Sequence, residues 1–129
     1  MNPVFLLSGK TVCIRRLKQF DLQDSYYDLM SLLSASDRSI LRTREIVDNL
    51  ENEYIYFVVE DMNTKMIVGT GTIIIANTST KISQIGCIEN IMTRKDYEKI
   101  GLENIIFRHL RDYCLNTKHC IKVKVNCVV

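Results

Sequence analysis

The feature that most constrains this chain lies in its last third: a strand-like run, one strongly amphipathic helix, and a second strand-like run. Residues 85–93 read as the first strand and residues 120–129 as the second. Between them Gly101 opens a helix in which Leu102, Ile106, Leu110, Tyr113 and Cys114 fall on one stripe, widened by Ile105 and Phe107. Strand, helix and strand in succession need a crossover, which favours parallel pairing of the two strands. A chain built around such a unit is expected to form a mixed sheet of the α/β (α+β) class.

The rest of the chain supplies further strands and two shorter helices. Residues 11–17 alternate Val12 and Ile14 against Cys13 and Arg15, as a strand does. Asp21 is a candidate helix cap, followed by Leu22, Tyr26, Leu29, Met30 and Leu33 at helical spacing. A second short helix is expected after Thr43, burying Ile46, Val47 and Leu50. Residues 54–59 and 66–75 read as an antiparallel hairpin around the polar turn 60–65. Gly69 and Gly71 interrupt its second strand, marking a bulge or a close backbone approach. Residues 76–84 read as a loop and residues 94–100 as a charged connection. The expected order is β-α-α-β-β-β-α-β, in one domain over residues 1–129.

Composition narrows the functional classes. Hydrophobic residues make up 47% and charged residues 25% of the 129 positions, a globular balance. The net charge of +2 is too small to imply nucleic acid by bulk attraction. No apolar run reaches the roughly 20 residues of a membrane span. The first ten residues carry a short apolar patch, Val4 to Leu7, without a basic lead, which reads as mature sequence of a cytoplasmic protein. Five irregularly spaced cysteines without a CxxC pair make a poor disulfide framework and a poor zinc site, so buried free thiols and no metal are expected. His109 and His119 have no partners at metal spacing.

Two places offer chemistry. The turn from the 85–93 strand into the Gly101 helix presents unpaired backbone N–H groups and a positive dipole end, with Arg94, Lys95 and Lys99 beside it. Such a turn can cradle a phosphate, and it can equally be only a connection. Glu89 is a carboxylate in mid-strand. It can take a proton from an amine or hold a relaying water, and it can equally face solvent as an ordinary polar residue. Asn90 can only hydrogen-bond. Lys122 and Lys124 share one face of the last strand and read as solvated.

The ordered elements, together with Ile67-Val68-Gly69-Thr70-Gly71-Thr72 and Gly86-Cys87-Ile88-Glu89-Asn90-Ile91, resemble the GCN5-related N-acetyltransferase (GNAT) superfamily. Ile14-Arg15-Arg16-Leu17, Asp21-Leu22 and Leu32-Leu33-Ser34 follow the opening of its glucosamine-6-phosphate N-acetylating branch. The resemblance covers about residues 11–127. It implies a sheet split open between the Glu89 strand and the Val123 strand, with acetyl-coenzyme A in the split. It further implies catalytic roles for Glu89 and Asn90, a carbonyl-polarising backbone N–H near Ile91 or Met92, and a pyrophosphate turn comprising Lys99, Gly101, Leu102, Glu103 and Asn104. Ser34 and Glu89 would meet the amino-sugar phosphate acceptor, on the route to UDP-N-acetylglucosamine. A homodimer is implied as the assembly.

Two departures from that pattern matter. Glu98 and Glu103 stand where the pyrophosphate turn carries Gln or Arg and a small residue, and Glu103 places a carboxylate near the expected anion at a cost on the order of 1–4 kcal/mol. The chain also stops at Val129, before the last helix and strand of the family pattern, so a C-terminally shortened domain is expected. These departures favour a second reading, a catalytically impaired relative acting as a dimerising or regulatory subunit. A third reading is an acetyltransferase with another amine acceptor.

Overall fold

The computed structural model describes residues 2–30, 52–77 and 84–125. Strand β1 (Val4–Leu7) turns through Ser8 and Gly9 into β2 (Lys10–Arg16). A short 3-10 turn (Gln19–Asp21) leads to helix α1 (Asp24–Met30). Then follow β3 (Asn52–Asp61), β4 (Ile67–Asn77) and β5 (Gln84–Thr93). A four-residue helix α2 (Lys95–Glu98) precedes α3 (Leu102–Asp112), which runs through a wide turn (Tyr113–Thr117) to β6 (Lys122–Val125). The strands form one six-stranded sheet in the order β1-β2-β3-β4-β5-β6. Its first four pairings are antiparallel, and β5–β6 is parallel, as the crossover through α3 requires. The result is a mixed α+β fold.

Both faces of the sheet are covered. On one face Val12, Ile14, Ile55, Phe57, Ile73, Ile75 and Ile88 pack under Leu102, Ile106 and Leu110 of α3. On the other, Val58 and Ile67 meet Leu29 of α1, with Tyr26 and Met92 at the margin. Glycine makes the first contact close. A Cβ at Gly71 would lie 2.8 Å from Leu110 Cδ2, and one at Gly86 would lie 2.6 Å from Cys114 Sγ. The in-strand glycines therefore let α3 rest directly on β4 and β5.

Several expectations change. The apolar patch Val4–Leu7 is itself the first strand, and residues 10–16 the second; Ser8 and Gly9 both take positive φ, as a two-residue hairpin turn requires. Asp21 does not cap the helix. Its carboxylate accepts from Arg15 and from the Lys18 N–H, helix α1 begins three residues later, and Leu22 is exposed. Residues 95–98 of the charged connection are helical. Cys13, Cys114 and Cys120 are buried free thiols, whereas Cys87 is disulfide-bonded, which departs from the expectation of free thiols throughout. The expected second helix after Thr43 and the strand end beyond Val125 lie outside the described residues.

Candidate active site

The sheet is irregular where the candidate residues sit. Thr70 pairs with Met92 and Thr72 with Glu89, so Asn90 and Ile91 together oppose Gly71 alone. This is a β-bulge on β5, and Asn90 occupies its left-handed position with φ 57°. Asparagine tolerates that conformation better than most side chains. The Thr70 hydroxyl lies 3.5 Å from the Asn90 carbonyl oxygen, within reach to donate to it. The bulge swings Ile91 towards α3, with its Cγ1 3.7 Å from a Cβ built on Gly71. Met92 returns to the α1 face.

The described pairing of β5 with β6 lies on the N-terminal side of this bulge. It runs from Ile85↔Lys122 to Ile88↔Val125, and no described β6 residue pairs with Glu89–Thr93. Glu89 lies on the α1 face of the sheet and is 7% exposed, so it is not the solvent-facing residue of the simpler reading. Thr72 stands directly opposite it, and Tyr56 directly opposite Thr72, so a polar row crosses three strands. No local sequence signal marks Tyr56 or Thr72 as part of a site. Register alone brings them to Glu89. The sulfur of Cys87 is 4.0 Å from Glu89 Oε2.

The second half of the site is the start of α3. Gly101 stands at the helix N-cap with φ 85°, a conformation that disfavours any side chain, and no atom lies within 4 Å of a Cβ built there. The eleven-residue α3 thus presents its open N-terminal N–H groups beside an uncrowded backbone. Leu102 is fully buried and packs within 3.3 Å of a Cβ built on Gly69, which pairs with Thr93. The first turn of α3 is thereby seated over the end of β5. With its side chain fully buried, Leu102 has only its main chain to offer a ligand. Lys99, Glu103 and Asn104 are exposed. Ser34 lies outside the described residues.

Arg94, one of three cations expected beside the phosphate, is committed elsewhere. Its Nε donates to the Ile67 carbonyl at 3.2 Å and its Nη2 to the Ser25 carbonyl at 3.3 Å, tying α1 to β4. Behind the turn, Tyr97 of α2 donates its hydroxyl to Asp61, which also accepts from the Asn63 and Thr64 N–H groups. The Tyr97 hydrogen bond, then burial opposing it, then those two N–H groups leave Asp61 below the usual carboxylate range. Among the described residues no group of three His, Cys, Asp or Glu side chains is placed to hold a metal ion. No helix of the described residues is long and apolar enough to cross a membrane.

No protein-family model and no curated protein sequence matches the chain. Solved structures do. Glucosamine-6-phosphate N-acetyltransferase from Arabidopsis thaliana superposes with a TM-score of 0.68 at 22% identity, over 92% of this chain and 83% of that one. An acetyltransferase of Trypanosoma brucei gives 0.68 at 22% identity, over 91% and 83%. A GNAT family acetyltransferase of Staphylococcus aureus gives 0.61 at 13% identity, over 92% and 87%. With its bulged β5, its parallel β5–β6 pair and α3 packed across them, the chain has the fold of the GCN5-related N-acetyltransferases.

Proposed function

We propose that residues 1–129 form one N-acetyltransferase domain that moves acetyl from acetyl-coenzyme A to the primary amine of an amino-sugar phosphate, with glucosamine 6-phosphate as the acceptor. The cytoplasm is its compartment and a homodimer its working form, and the reaction feeds UDP-N-acetylglucosamine synthesis. The observation that carries the reading is the coincidence of the β5 bulge and the open N-terminus of α3, which is seated over the end of β5. The residues present fit the carrier, because the glycine turn leaves space for a pyrophosphate at the open N-terminus of α3.

The chemistry follows from the residue types. The amine nitrogen attacks the thioester carbonyl, the C–N bond forms, and the C–S bond breaks to release coenzyme A as its thiol. A backbone N–H near Ile91 or Met92 donates to the carbonyl oxygen as negative charge gathers there. Glu89, directly or through a water, takes the amine proton, while Asn90 shapes the bulge that aims these groups. Main-chain amides of Gly101, Leu102, Glu103 and Asn104, with Lys99 nearby, hold the pyrophosphate.

Glu103 favours the second reading, a binding-impaired relative serving as a dimerising or regulatory subunit. Its carboxylate is solvent-exposed, so screening holds the repulsion of a nearby pyrophosphate to about 1 kcal/mol, the low end of the range for close charges. Calorimetry with coenzyme A separates the two readings: the enzyme binds it, and Glu103→Gly tightens binding several-fold. Absence of binding with Glu103 in place, restored in Glu103→Gly, supports the subunit reading. A thiol-release assay over a panel of amines then identifies the acceptor, and Glu89→Gln should lower kcat far more than it changes KM.

A further inference from the structure

Strand β1 lies at one edge of the sheet, and its outer side pairs with nothing among the described residues. Register decides which main-chain groups face that side. The Ile14 N–H donates to the Pro3 carbonyl at 3.1 Å, so Pro3 turns its main chain towards β2. Alternation turns Phe5 and Leu7 the same way, opposite Val12 and Lys10, and leaves the N–H and C=O of Val4 and Leu6 pointing outward. Proline commonly blunts a sheet edge, but the donor missing at Pro3 is on the inner side, and the outer side keeps all its groups. The side chains of Phe5 and Leu7 pack with the α3-face core, whereas Val4 and Leu6 are 57% and 74% exposed. Val4 stands opposite Cys13 and so shares the α1 face with Arg15, whose guanidinium lies 5.4 Å from the ring of the exposed Phe20. Residues 2–9 carry no charge. The first charge after them, the Lys10 ammonium, is taken up within its own chain, 4.0 Å from Asp96 and 4.8 Å above the Tyr97 ring.

We propose that the outer edge of β1 is an interface for a second copy of this chain, the two β1 strands pairing antiparallel across a two-fold axis at Phe5. In that arrangement Val4 exchanges both main-chain bonds with Leu6 of the second copy, and Leu6 with Val4 of the second copy. Every outward group of one strand then meets its complement in the other. Directly opposed residues share a face, so the exposed valine and leucine of both copies close into one apolar cluster on the α1 face. The same register sets Asn2 opposite Ser8 and Pro3 opposite Leu7, and no like charges meet. This self-complementarity selects a second copy, because an unrelated strand would need an apolar pair of its own at matching positions. The contact is short, which puts it among concentration-dependent rather than obligate interfaces. It gives the proposed homodimer its interface and does not rest on the acetyl-transfer chemistry, since β1 and β5 are separated by three strands.

The test is sedimentation velocity of the full chain over a concentration series. Wild type should pass from monomer to dimer as concentration rises. Val4→Lys/Leu6→Lys and Val4→Glu/Leu6→Glu should each stay monomeric, because pairing would set like charges directly opposite each other, and an equimolar mixture of the two should regain the dimer. Leu6→Pro should also stay monomeric, since it deletes an outward donor and no bond to β2. All three variants should keep a cooperative unfolding transition and a coenzyme A affinity within twofold of wild type. Wild type that is monomeric at every concentration would overturn the inference and leave the edge to a strand of another protein. So would dimerisation that the charges do not change, a mixture that does not regain the dimer, or wild-type species larger than a dimer, because a two-fold contact closes at two copies. A monomeric wild type that acetylates an amine sinks this interface alone. A β1-dependent dimer that binds no coenzyme A leaves the interface standing while the transferase reading falls.

Discussion

Arg15 and Asp21 are 6% and 5% exposed, and they meet through two short hydrogen bonds of 2.7 and 2.6 Å. Glu60 adds a third contact, 3.4 Å from Arg15 Nε. Burial pushes the Asp21 carboxyl up, but the Arg15 hydrogen bonds, the Lys18 N–H and nearby positive charge hold it below its ordinary value. Its folded pKa is therefore depressed. The stability it contributes is complete above the unfolded carboxylate range and is lost as pH falls through the lower folded value. Removing it strands a buried guanidinium, so Asp21→Ala should cost about 3 kcal/mol, the lower end for a broken buried pair because Glu60 remains. Urea denaturation at pH 7 and at pH 3 checks this, with a smaller difference between wild type and variant expected at the acid end. The sequence places these two residues six apart but cannot show that a 3-10 turn folds one back on the other, and a helix cap is the commoner use of an aspartate there. The burial of Glu89 is hidden for a related reason. Ile73, Ile74 and Ile75 are all buried, so the central strands lose the alternation that would tell which face a carboxylate occupies.

At the scale of elements, the close seating of α3 is the controlling feature. Gly86→Ala would drive a methyl group to 2.6 Å from Cys114 Sγ and should destabilise the fold by about 1–3 kcal/mol. Cys114→Ala removes the sulfur, so the double variant should be more stable than the sum of the two losses predicts, in a denaturation cycle. Additive losses would show that the helix shifts instead. Tyr97 and Asp61 pin α2 to the β3–β4 turn, with the Lys10 ammonium 4.8 Å above the tyrosine ring. Tyr97→Phe removes a buried hydrogen bond to a carboxylate and should cost about 1.5–3 kcal/mol by the same measurement. Because α2 leads straight into Gly101, the variant should also weaken coenzyme A binding more than it weakens acceptor binding. The hairpin and the α3 crossover are legible in sequence because β-branched runs and a 3.6-residue stripe are strong local signals. Strand β1 is not, since four apolar residues carry too little pattern; its signal is the Ser8-Gly9 turn. Nor is the β5 bulge, which depends on the pairing of β4 with β5.

At the scale of the whole molecule, one sheet joins two kinds of order. Its antiparallel part is packed on both faces, the described parallel pairing lies on the N-terminal side of the β5 bulge, and the first turn of α3 sits over the far end of β5, at Thr93. A crystal structure of the chain grown with acetyl-coenzyme A tests the central claim most directly. The pantetheine arm should lie along Glu89–Thr93 with the pyrophosphate on the main-chain amides of residues 101–104. A β6 paired with β5 along that whole stretch, leaving no opening for the carrier, would contradict it.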